Sequence, residues 1–157
     1  MISKLVVLLV LVLVGSAGHA FSLSIPKLLI DTGLATKFPK EKLTVKLENP
    51  VTQFNKESQK VELCGKWSSK LPRQSGDFCL DFHPQWNKSK GDIEISKLNI
   101  LKLTAGEDRN LPAAVSNTLN NTLLLLLDGT TVYHVPESVG KHLESIEVQS
   151  SSFKLTF

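Results

Sequence analysis

Cys79, Asp81 and His83 are the residues of this 157-residue chain best placed to do chemistry. They alternate with Phe78, Leu80 and Phe82, so a β-strand would present a thiol, a carboxylate and an imidazole on one face. Such a trio is part of a metal site if His134 or His142 comes near enough to add a ligand, or the start of a cysteine nucleophile with a histidine base. Pleat alone also lines up alternate residues on any polar face, and Cys79 has a simpler partner. Cys64 occupies the polar face of the preceding strand, on the other side of the same turn. Cys64 and Cys79 thereby become cross-strand neighbours able to form a disulfide in an oxidising compartment. No G-x-S-x-G elbow, Gly-rich phosphate loop, C-x-x-C or H-E-x-x-H spacing occurs. The residues therefore assign no catalytic group, no metal ligand and no cofactor, and the chain reads as a non-enzyme. The sequons Asn87-Lys88-Ser89 and Asn120-Asn121-Thr122 would matter only in a eukaryotic secretory route.

The second informative feature is apolar. Asn110 is a good helix cap, Pro112 is tolerated in a first turn, and Gly129 suits the left-handed position just past a helix end, so a helix is predicted from Leu111 to Leu127. Leu111, Val115, Leu119, Leu123 and Leu126 form one stripe at helical spacing, opposite Ser116, Asn117, Asn120 and Asn121. The run Leu123-Leu124-Leu125-Leu126-Leu127 is apolar all round, so this end must be surrounded by protein, by a partner or by a greasy ligand. Leu119, Leu123 and Leu126 are accordingly candidate ligand-binding residues, together with Trp67, Phe78 and Phe82 on the strands that would face them.

The elements that must position these groups follow from pattern. Ser24 can cap a first helix carrying Leu28, Leu29 and Leu34 and ending near Phe38-Pro39. Leu43, Val45 and Leu47 alternate with polar residues as a half-buried strand, and Asn55 to Ser58 reads as a turn. Val61, Leu63, Gly65 and Trp67 share a face of the next strand, and a polar loop through Pro72 and Gly76 leads to Phe78, Leu80 and Phe82. After a turn at Asn87 to Gly91, Ile93 and Ile95 alternate until the apolar parity switches to Leu98 and Ile100, which predicts a bulge or bend near Ser96-Lys97. Thr131 to Val135 reads as a short strand and Pro136 to Leu143 as a short helix. Ile146 to Phe157 reads as closing strands around the corner Ser150-Ser151-Ser152. The Leu111–Leu127 helix would be ~25 Å long, as are strands of seven or eight residues, so a sheet can cover it end to end.

The first twenty residues address the protein. Lys4, the apolar run Leu5 to Val14 and the small residues Gly18 and Ala20 make a secretory signal peptide cleaved before Phe21. The run is too short to span a membrane, which takes ~20 apolar residues, and it holds no cysteine for a lipid. The mature chain, residues 21–157, is then one soluble domain. Loss of Lys4 lowers the formal charge from +3 to +2, and the lysines are scattered among carboxylates, so nothing asks for nucleic acid.

The order of elements carries a resemblance. A helix running into Leu34-Ala35-Thr36-Lys37-Phe38-Pro39, a strand ending Leu47-Glu48-Asn49-Pro50, a strand Gly91-Asp92-Ile93-Glu94-Ile95, and the tail Ile146-Glu147-Val148 to Phe157 resemble the YceB-like family of bacterial periplasmic proteins and lipoproteins. The resemblance implies an α+β domain in which a curled antiparallel sheet wraps around a long amphipathic helix, with a short N-terminal helix, similar to one half of the tubular lipid-binding proteins. It also implies the periplasm, although this chain lacks the lipoprotein cysteine of many relatives. Two functions remain open. One is a periplasmic binding protein with an apolar groove for a lipid or fatty-acyl chain. The other is an envelope accessory protein that docks another protein and binds no ligand.

Overall fold

The computed structural model describes residues 21–42, 44–70, 73–106 and 109–157. The predicted leader, residues 1–20, lies outside the described residues, as does Leu43 of the predicted first strand. The element order is β1 (Ser22–Pro26), α1 (Lys27–Ala35), β2 (Lys40–Lys42), β3 (Val45–Asn55), β4 (Lys60–Lys70), β5 (Arg73–Asn87), β6 (Asp92–Ala105), β7 (Arg109–Asn110), α2 (Ala113–Leu127), β8 (Thr131–His134), α3 (Glu137–Gly140), β9 (Ser145–Val148) and β10 (Ser152–Thr156). A seven-stranded sheet runs β2-β3-β4-β5-β6-β7, with β8 pairing the other end of β6, and a second sheet runs β1-β10-β9. Every described pairing is antiparallel. The class is α+β, dominated by a curled antiparallel sheet.

Alternation sets the faces of the large sheet. Leu47, Val61, Leu63, Trp67, Phe78, Leu80, Phe82, Ile93 and Ile95 are all buried, while the residues between them face outward. The parity switch in β6 is a bulge: His83 pairs with Ser96 and Asp81 with Asn99, and Lys97 takes a positive φ of 51°. A second bulge interrupts β3, where the predicted strand ended at Pro50. Asn49 (φ 55°) and Pro50 stand between the pairs Glu48–Lys66 and Val51–Cys64, and the strand runs on to Asn55 with Thr52 and Phe54 now inward. A bulge accommodates a proline that has no N–H for the ladder.

Other expectations are corrected. The predicted Lys42–Glu48 strand is split, with Lys42 paired to Val45 across a tight turn. Ser24 caps nothing: it lies in β1, paired with Lys154, and α1 starts at Lys27 behind Pro26. Asn110 likewise belongs to β7, and Pro112 precedes α2. Gly76 is inside β5, opposite Trp67, instead of in a loop. Gly129 does take the left-handed conformation past α2, at φ 76°.

The curl follows from which strands share α2. The helix packs against both β2 and β6, four strand spacings apart, or about 19 Å in a flat sheet. A helix is ~10 Å across, so only a curled sheet brings both strands to it. Lys40 of β2 reinforces this closure: its ammonium donates to the Leu126 carbonyl (3.1 Å) and to Thr130 Oγ1 (2.7 Å) at the C-terminal end of α2. Helix α1 fills the remaining opening against β8 and β3, with Ile30 and Leu34 buried. Its Asp31 is held by Lys27 (2.6 Å) and by the Thr52 hydroxyl.

Candidate functional site

A cavity of about 330 Å³ opens between the first half of α2 and the ends of β3, β4 and β5. Val45, Ser69 and Gln74 form one cross-strand row on its sheet side, because Val45 pairs with Ser69 and Ser69 with Gln74. Behind that row lies Trp67, whose indole N–H donates to the Thr104 carbonyl at 2.8 Å and so fixes the ring. Gly76, paired with Trp67, makes this possible. A Cβ there would stand 1.8 Å from that same carbonyl oxygen. Helix α2 supplies Ala114, Val115, Thr118 and Leu119, and Thr44 completes the rim. The lining is an apolar floor with a few hydroxyls and one carboxamide, the kind of surface that takes a hydrocarbon group.

The six candidate ligand-binding residues do not all meet here. Trp67 and Leu119 line the cavity. Phe78, Phe82 and Leu123 are buried in the common core and do not line it, and Leu126 is half-buried beside that core. The inner end of α2 is closed by Thr122, Leu123 and Leu127, while Leu125 projects outward at 66 % exposure. Ser69, Gln74 and Thr44 are the functional residues missed. Ser69 continues the inward parity of Trp67, and Gln74 that of Phe78 and Gly76, so both were readable once the strands were extended past the supposed loop.

On the opposite face of the sheet, Cys64 and Cys79 are a directly paired cross-strand couple, Cα–Cα 4.1 Å, joined by a disulfide. Among the described residues one group of metal-ligand side chains converges, Glu62 with Cys64 and Cys79, and both sulfurs are in the disulfide. The row Cys79-Asp81-His83 is present but its members are separately engaged. Asp81 faces Lys60 at 3.8 Å, and a ring nitrogen of His83 lies 3.1 Å from the Gln59 carbonyl. His134 instead meets Asp92 at 2.6 Å, at the β6–β8 end, and His142 is exposed beyond α3. That end holds two further cavities, of about 340 and 390 Å³, both touching Trp86 and Lys88; the larger is lined mainly by polar groups such as Gln85 and Ser96, the smaller by polar and apolar surface together.

Two titrations are displaced by packing. Burial beneath α2, with the like charge of Lys37 adding to it, holds the Lys40 ammonium below its ordinary 10.5. Burial pushes the Tyr133 phenol above its ordinary 10.0. Neither group lines the apolar cavity.

A disulfide-bonded pair is consistent with an extracellular or periplasmic protein. Among the described residues no helix is long and apolar enough to cross a membrane. No model of a known protein family matches this chain, and no curated protein is significantly similar to it.

Proposed function

We propose that this is an exported periplasmic protein of the YceB-like kind, its sheet wrapped around the long helix α2, that holds the hydrocarbon part of a small amphiphile in the cavity between α2 and the β3–β5 ends. The observation that carries the reading is the cavity's floor: Val45, Trp67, Val115 and Leu119 leave about 330 Å³ of apolar space beside a fixed indole. This is at the lower end of the ~300–1,000 Å³ typical of small-molecule sites, which suits one chain and not a two-chain phospholipid. Each buried methylene contributes ~0.8 kcal/mol, so affinity rises with chain length until the space is full. Delipidated protein should take up a single-chain amphiphile saturably, one per protein, with a change in Trp67 emission. Val115→Phe, which fills the space, should weaken uptake without lowering stability. No saturable uptake with any chain length overturns the reading.

The second reading, an envelope accessory protein acting through protein contacts, is favoured by one observation. Val51, across the ladder from Cys64, is 66 % exposed on the outward face. Export itself is tested by intact mass of the protein recovered from the periplasm, expected to begin at Phe21.

A further inference from the structure

We infer that the cavity between α2 and the β3–β5 ends selects amphiphiles with a neutral polar head, an alcohol or an ester, and rejects the carboxylate of a free fatty acid. This rests on the binding reading above and narrows it. None of the described residues lining the cavity is ionisable. Its polar groups are the hydroxyls of Thr44, Ser69 and Thr118 and the carboxamide of Gln74. Thr118 donates its hydroxyl proton to the Ala114 carbonyl at 3.0 Å, which leaves its oxygen as an acceptor. The Thr44 and Ser69 hydroxyls lie 3.5 Å apart and partly satisfy one another. Gln74 offers both a donor and an acceptor with no charge.

The neighbouring cations do not change this. Lys70 and Arg73 follow and precede Ser69 and Gln74 in the chain and are paired with each other, so the pleat turns them to the opposite face. Lys42 pairs with Val45 but stays exposed in water and lines none of the cavity. A carboxylate drawn in behind its chain would lose hydration and find no counter-charge among the described lining residues, the costliest kind of burial. A hydroxyl or ester loses far less and can bond Gln74.

The test uses three ligands of one chain length, decanol, methyl decanoate and decanoate, at neutral pH. Uptake is followed by equilibrium dialysis and by emission of the Trp86→Phe protein, in which Trp67 is the remaining indole. Decanol and methyl decanoate should bind about tenfold or more tightly than decanoate. Methyl decanoate keeps the carbonyl and loses only the charge, so it isolates the cause. Gln74→Lys, at a half-buried strand position, should shift the preference toward decanoate. Decanoate binding as tightly as decanol overturns the selectivity and leaves the binding reading standing. If none of the three binds, the binding reading falls and takes the selectivity with it.

Discussion

Lys40 is the side chain whose chemistry the fold alters most legibly. In the unfolded chain it titrates at its ordinary 10.5, and in the fold its value is lower. Between those two values the unfolded chain holds the extra proton, so stability rises with pH across that window; below it the burial of the charge counts fully against the fold. Tyr133 has the opposite sign, but its contribution acts only above 10.0. Urea midpoints followed from neutral pH to 10.0 should therefore rise in the wild type and lose that rise in Lys40→Met. Gly76 is a second test at this scale. Its missing side chain leaves the Thr104 carbonyl free to receive the Trp67 indole, so Gly76→Ala should cost about 3 kcal/mol or more and expose Trp67 to solvent, seen as a red shift of its emission.

Among the elements, α2 divides into a half that lines the cavity and a half that is core. Leu123 is 1 % exposed, so Leu123→Ala should lower stability by ~2–5 kcal/mol and leave ligand uptake unchanged. Removing both cysteines should cost about 3 kcal/mol, the chain-entropy value for a loop of this length, since Cys64 and Cys79 are 15 residues apart. How much of this was readable differs by element for physical reasons. Strands β4 and β5 were legible because each has one wet and one dry face, and that alternation also placed Cys64 opposite Cys79. The β6 bulge was legible because Ile95 and Leu98 cannot share a face without it. The β3 bulge was not, because Pro50 reads locally as a strand end and only the partner β4 carries the ladder past it. Ser24 and Asn110 are residue types that favour helix caps but also occur in strands; Ser24 is drawn into one by β10, at the far end of the chain, and Asn110 by β6, the strand just before it, through a ladder of only two residue pairs that leaves no alternation to read. The cavity was legible only in part: Trp67 and Leu119 announce themselves as apolar, whereas Ser69 and Gln74 face inward by register alone.

At the scale of the whole molecule, the two sheets and three helices of the described residues are held by contacts of very different reach. Gln59, in the β3–β4 turn, bridges the sheets by receiving the Val148 N–H (2.7 Å) and donating to the Val148 carbonyl (3.0 Å), and Phe54 stacks on Phe153 at 4.9 Å. From β2 to β6, by contrast, each strand pairs with its neighbour in sequence. Those hairpins close short loops. The pairing of Ser22 with Thr156 closes nearly the entire described chain, and α2 can touch β2 only after the strands between β2 and β6 have curled. Loop entropy orders these events in time: the meander assembles locally, and the β1–β10 ladder joins afterwards. Phe153→Ala in β10 should then speed unfolding while leaving the folding rate nearly unchanged, and Val61→Ala in β4 should slow folding. The cavity, walled by both α2 and the meander, comes into existence only when α2 docks on the curled sheet, so a ligand that binds there acts on the lifetime of the finished fold and not on how fast the meander forms.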